Sequence, residues 1–191
     1  MKNTIKDKII IGAKTLSNLY TWIDVAYAVY NNIRGHTGGE ISMGYGIIHR
    51  KALNQEINVK RSIEFELVGI GEYFPYNIWF IMFMSAQGYG IENNVIYQDN
   101  KSAICIDKNG RNSCSGNSRY IPIRYFFVKD RIDKSRMKVE YFPTHLILAD
   151  FFTKSLMGEM FRKLRSVIMG YTSIFELDPT LLQSIKERVG I

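Results

Sequence analysis

Cysteine is almost missing from this chain: Cys105 and Cys114 stand nine positions apart, with no companion cluster of Cys or His. That leaves out a disulfide framework and a thiolate zinc site, points to a reducing compartment, and makes both residues packing residues. Long apolar runs are lacking too. The longest, Ile78 to Met84, falls far short of the roughly 20 residues that cross a bilayer. Ile9 to Ala13, behind Lys2, Lys6 and Lys8, is too short for a signal-peptide core. A soluble intracellular protein of cytoplasm or nucleus, without a membrane partner, is the expectation. Internal repeats and low-complexity tracts are absent. Negative charge is in deficit, with 18 acids against 25 Lys and Arg, a net charge of +7 and a pI near 9.3. A polyanionic partner, nucleic acid or an anionic membrane, suits that balance.

What is present is enough for a core. At 46% hydrophobic and 13% aromatic, 191 residues make one domain with a short extra arm. Residues 1–18 read as a tether, 19–156 as the domain, and 157–191 as a C-terminal helical extension. Leu19 to Ala28 is apolar on both faces, as a central strand is, except for Asp24, which shares a face with Trp22 and Ala26. Arg34 to Gly39 reads as a turn, and Ile41, Met43, Tyr45 and Ile47 alternate like a half-buried strand. A second turn near Arg50–Asn54 and a short run through Val59 complete a three-stranded meander.

The period then changes. Ile63, Leu67, Ile70, Phe74, Ile78 and Ile81 form a helical stripe that Ser62 can cap, Pro75 should kink or divide, and Gly88 and Gly90 end. A strand at 95–98, a helix from about 100 to 108 and a Gly/Asn/Ser-rich loop follow. Ile121, Tyr125, Val128 and Ile132 mark another helix, Met137, Val139 and Tyr141 a short strand, and Thr144 the cap of a helix carrying Asp150. Phe161, Leu164 and Ile168 define one more amphipathic helix, and the chain from Asp178 onward a separable helical tail. The Met and Phe residues around 80–84 read as core. The order predicts an α/β fold: a mixed five-stranded sheet, antiparallel meander first, flanked by helices. The helix at 62–87 is long enough to be the crossover to a parallel strand at 95–98.

Four acids keep odd company. Asp24 lies in the apolar strand, Glu66 beside the helical stripe, Asp99 at the tip of the run Val95-Ile96-Tyr97-Gln98, and Asp150 in Leu148-Ala149-Asp150-Phe151-Phe152. An ionised carboxylate is expensive to bury unless it is paired or metal-bound, and a strand's C-terminal tip is where open α/β sheets build sites. Taken singly, Asp99 reads equally as a helix N-cap, Glu66 as a solvated helix residue and Asp150 as a first-turn acid favoured by the helix dipole.

Six blocks make the combination specific: Tyr20 to Ala28, Arg34 to Gly39 (RGHTGG), Arg61 to Leu67, Tyr97 to Ala103 (YQDNKSA), Ile121 to Phe127 (IPIRYFF) and Ala149 to Leu156 (ADFFTKSL). With them the chain resembles the ribonuclease H domain that closes the Pol polyprotein of copia-type LTR retrotransposons, over roughly residues 19–170. The resemblance implies a ribonuclease H-like fold and hydrolysis of the RNA strand of RNA–DNA hybrids. It implies two Mg²⁺ ions, for which Mn²⁺ can substitute, held by Asp24, Glu66, Asp99 and Asp150, and fusion to a reverse transcriptase. A basic stretch, Lys108 to Lys138, carries nine Lys and Arg against Asp130 and Asp133, beside Tyr120, Tyr125 and Phe126. Arg111, Arg119 and Arg124 are its candidate nucleic-acid contacts, since hybrids are held by phosphate and 2′-OH rather than by base reading.

The chain departs from the family where a second Asp is usual, at Ala26, and at Ile63, Phe65, Gly116 to Tyr120 and Ser155. None of these removes an expected metal ligand. His145, five positions before Asp150, carries little weight because the family has an acidic or polar residue near there. Two readings follow: a metal-dependent endonuclease, or a catalytically silent retrotransposon remnant that at most binds nucleic acid.

Overall fold

A computed structural model describes residues 6–26, 34–56, 62–109, 129, 132, 137–177 and 183. Its centre is a five-stranded mixed sheet in the order β5-β3-β2-β6-β7, formed by β2 (Asn18–Ala26), β3 (His36–Ser42), β5 (His49–Asn54), β6 (Asn93–Gln98) and β7 (Met137–Tyr141). The first three pair antiparallel, while β6 lies parallel to both β2 and β7. A two-stranded ribbon joins β1 (Gly12–Ala13) to β4 (Gly44–Tyr45). An antiparallel meander and its parallel continuation are both present, with His49–Asn54 as the third strand; the expected run through Val59 lies outside the described residues. The crossover is helix α1 (Ser62–Ala86), followed by α2 (Lys101–Asn109), α3 (Asp150–Thr153), α4 (Gly158–Ile168) and α5 (Ile174–Leu177).

The period-2 rule divides β2 between two cores. Leu19 and Ile23 face α1 with Ile41, Ile70, Tyr73, Phe74, Ile96 and Val139. Tyr20 and Trp22 face the other way, onto Val95, Tyr97, Phe142, Ile147, Leu148, Leu164 and Val167. Burying each such side chain stabilises the fold by about 1.5–3 kcal/mol before chain entropy is counted. Asn77 ties α1 to the sheet inside the first core: its amide donates to Thr21 Oγ1 at 2.8 Å and Asn94 Oδ1 at 2.9 Å, and accepts from Asn94 Nδ2 at 2.8 Å. Among the described residues no helix is long and apolar enough to cross a membrane.

Several elements differ from the sequence expectation. Gly38 and Gly39, read as a turn, lie inside β3, because neighbours approach too closely for a side chain. A Cβ on Gly38 would stand 2.8 Å from Thr153 Cγ2 and 2.9 Å from the Ala149 carbonyl, and one on Gly39 would enter the Tyr73 ring. The alternation over 41–47 is broken where Ser42 Oγ donates to the Gly46 carbonyl and accepts from the Gly44 N–H, with Gly44 at φ 128°. Arg50–Asn54, also read as a turn, belongs to edge strand β5, which needs no apolar alternation because it is solvated on one flank.

α1 continues through Pro75 undivided, its two halves held by Tyr73, Phe74 and Asn77 on the sheet. Met82 and Phe83, read as core, are exposed beside buried Met84, and Cys105, read as packing, is exposed on α2. Thr144 caps no long helix: it opens a single 3-10 turn, Thr144–Leu146, and Asp150 begins the separate α3. Of the helix expected over 121–132, only Lys129 and Ile132 are described, both helical; Cys114 and the tail, apart from Gln183, lie outside the described residues.

Candidate metal centre

Strand register brings the first two acids together. Trp22 pairs with Tyr97 across the parallel β2–β6 ladder, so two positions further on Asp24 and Asp99 stand side by side at the C-terminal edge of the sheet. Asp99 is not spent on helix capping, because Asn100 caps α2, accepting at Oδ1 from the Ser102 and Ala103 N–H groups at 3.1 Å each. The Thr144 hydroxyl near its carboxylate favours the ionised form instead. Glu66 comes from the second turn of α1 and is held by Gln98, whose Nε2 donates to Glu66 Oε2 at 2.9 Å while its Oε1 accepts from the Asp99 N–H at 2.9 Å. One carboxylate oxygen from each of Asp24, Glu66 and Asp99 lies within 4.8 Å of the others.

Asp150 approaches from the other side on α3. Gly38, paired with Asp24 in register, leaves room for α3 to lie against β3, so Thr153 Oγ1 donates to Asp24 Oδ2. Lys154 follows at once. Its Nζ is 2.6 Å from Asp150 Oδ1 and 3.5 Å from Asp24 Oδ1, which places an ammonium between these two carboxylates. The expected acids therefore fall into a trio, Asp24, Glu66 and Asp99, and a pair, Asp24 and Asp150, that shares Asp24. Asp24, Glu66 and Asp150 are 2%, 6% and 8% exposed, whereas Asp99 is half-buried and open to one side.

Burial and the crowding of like charge raise these acids. Burial, then Asp24, pushes Glu66 up to about 8, with the Gln98 hydrogen bond only partly opposing. Asp99 is raised by burial and then by Asp24, and Asp150 in the same order, against the pull of Lys154. Burial alone would lower Lys154, but its hydrogen bond to Asp150 and the charges of Asp24, Asp150 and Asp99 hold it above the ordinary lysine value. Among the described residues the cluster thus has more negative charge than the Lys154 ammonium balances. Its donors are hard carboxylate oxygens, the set that suits Mg²⁺ or Mn²⁺ and not a softer ion.

Sequence reasoning passed over Lys154, Thr153, Gln98 and Thr144, which hold the carboxylates. The signal for Lys154 was its i,i+4 spacing from Asp150, and Gln98 stands directly before Asp99. His145 is exposed on the 3-10 turn. Arg111, Arg119 and Arg124 lie outside the described residues.

No family model matches the chain. Over 157 residues it is 24% identical to a retrovirus-related Pol polyprotein from a transposon of Nicotiana tabacum, a copia-type element; the match covers 82% of this chain and 12% of that one. The chain thus spans about 12% of the length of that relative. Among solved structures, a ribonuclease H1 isolated from compost aligns with a TM-score of 0.50 at 11% identity, covering 70% of this chain and 91% of that chain. The ribonuclease H1 of Halobacterium salinarum aligns with a TM-score of 0.46 at 11% identity, over 69% and 90%. The fold is ribonuclease H-like, and the resemblance to the copia-type Pol polyprotein extends over most of the chain.

Proposed function

We propose that this chain is a metal-dependent endonuclease domain that hydrolyses the RNA strand of RNA–DNA hybrids, as part of a longer Pol polyprotein in which a reverse transcriptase domain presents the hybrid. The observation that carries the reading is the convergence of Asp24, Glu66 and Asp99 oxygens to within 4.8 Å at the C-terminal edge of two parallel strands, with Asp150 across from them. Divalent ions bound there supply Lewis acidity for an attacking water and for the leaving 3′-oxygen of an in-line displacement.

The chain's own residues do the rest. Asp24, shared by both halves of the cluster, sets their separation, with Thr153 fixing its orientation from α3. Glu66 is oriented by Gln98, and the Asp99 backbone is tied to the same Gln98 side chain, so these carboxylates are preset before substrate arrives. Asp99 is the half-buried member, so a scissile phosphate would reach the cluster from its side. No nucleophilic side chain is required, which accords with the lack of a Ser/His/Asp or Cys/His arrangement. Arg111, Arg119 and Arg124 are the proposed phosphate contacts, and a net charge of +7 suits a partner recognised through its backbone.

The test is cleavage of a labelled RNA–DNA hybrid with Mg²⁺ or Mn²⁺, against a chelator control. The wild-type chain cuts the RNA strand, and Asp99→Asn falls to the chelator background with its circular dichroism unchanged. Cleavage undiminished in Asp99→Asn would overturn the mechanism. A wild-type chain that binds the hybrid and never cuts it would be the silent remnant.

A further inference from the structure

The two halves of the carboxylate cluster are held by different chemistry. On the Glu66–Asp99 side the groups in contact, among the described residues, are neutral: the Gln98 amide bonds Glu66 and the Asp99 N–H, and the Lys154 charge reaches these two acids without an ion-pair contact. On the Asp150 side the support is a full positive charge, Lys154 Nζ, at 2.6 Å from Asp150 Oδ1 and 3.5 Å from Asp24 Oδ1. Lys154 closes α3, its N–H bonded to the Asp150 carbonyl at 2.9 Å while its own backbone is already extended (φ −125°, ψ 148°). The side chain therefore folds back over the helix to reach the acids, and it is still 39% exposed. A long flexible stem with one end in solvent can retract without disturbing the helix.

We propose that the Lys154 ammonium is a resident counter-cation of the Asp24–Asp150 pair, which a divalent ion entering between these carboxylates must displace, so that the two halves of the cluster take up metal unequally. The inference rests on reading the cluster as a metal centre. In the metal-free protein Lys154 partly neutralises the two buried carboxylates it touches, whereas on Glu66 and Asp99 its charge acts without an ion-pair contact. That same charge opposes a second cation a few ångströms away, and at such distances the repulsion is large even with substantial screening. The Glu66–Asp99 side, which Lys154 does not touch, fills first, and the Asp150 side fills only at higher metal concentration or when a substrate phosphate adds negative charge.

The experiment is calorimetric titration of the full chain with Mn²⁺, for wild type, Lys154→Met and Lys154→Arg, alongside melting temperatures in chelator. Wild type takes up one ion more tightly than the second. K154M tightens the weaker event by at least about tenfold, melts below wild type in chelator, and closes that gap as Mn²⁺ saturates. K154R, which keeps the charge, follows wild type. Lys154→Gln gives the same comparison if K154M folds poorly. Equal affinity and stoichiometry for wild type and K154M would overturn the inference while leaving the metal centre standing. K154R behaving like K154M would also overturn it, by removing charge as the cause. No Mn²⁺ uptake by any variant would remove the metal centre itself, and the inference with it.

Discussion

Glu40 is fully buried in β3, opposite Trp22 on one side and Arg50 on the other, and among the described residues neither of its carboxylate oxygens has a hydrogen-bond partner. Burial pushes it up to about 8, and the Arg50 charge only partly opposes this. Because the folded value lies above the unfolded one, the contribution of Glu40 to stability is fully present below about 4.5 and is lost as pH rises through about 8. Glu40→Gln is expected to unfold at higher urea than wild type at pH 9, by about 1–3 kcal/mol, with the difference shrinking at pH 5. A variant less stable than wild type at pH 9 would mean that Glu40 has a compensating partner. Glu66 has the same sign and the same value of about 8, but its cause includes Asp24, and bound metal would relieve it. The two buried acids are thus separable by a chelator: only the share of Glu66 responds.

Elements in this fold meet at positions without side chains. Gly39 lets the Tyr73 ring of α1 lie flat against β3, and Gly38 lets α3 bring Thr153 to Asp24 from the opposite face. Gly39→Ala forces either the ring or the strand to move, which is expected to cost about 1–3 kcal/mol, read as a lower urea midpoint with an unchanged slope. These glycines also explain where sequence reading of the elements failed. Gly-Gly after His-Thr has the composition of a turn, and only the tertiary approach of Tyr73 and Ala149 makes it a strand. Edge strand β5 failed for a related reason: its burial alternates only between exposed and half-buried, so apolar periodicity had nothing to register. By contrast β2, β6 and α1 were legible because both faces of the strands and one stripe of the helix are buried, and burial writes itself into composition.

For the molecule as a whole, metal, protons and stability are linked through the carboxylate cluster. Glu66 near 8 is largely protonated at pH 7 without metal, and a ligand carboxylate must be ionised. Adding Mn²⁺ at pH 7 is therefore expected to release protons, measurable as a buffer-dependent heat, and to bind more tightly as pH rises toward 8. At one hundred times its dissociation constant the ion should stabilise the fold by about 2.7 kcal/mol, seen as a raised melting temperature. Glu66→Gln should bind the metal more weakly and release fewer protons. Proton release that Glu66→Gln leaves unchanged would locate the titrating group elsewhere in the cluster.

The amino-acid sequence by itself determined the main strand and helix order and the parallel crossover, because burial writes itself into apolar periodicity; it marked Asp24 as an acid in apolar company, and the resemblance of its motif blocks pointed to Glu66, Asp99 and Asp150 beside it. It could not supply the partition of those acids. That depended on register and approach: the β2–β6 ladder setting Asp24 beside Asp99, and Gly38 admitting α3 so that Thr153 and Lys154 reach Asp24. An ammonium between two carboxylates is a contact between β2 and α3, more than a hundred residues apart in the chain, and only packing in three dimensions decides which charges share a site.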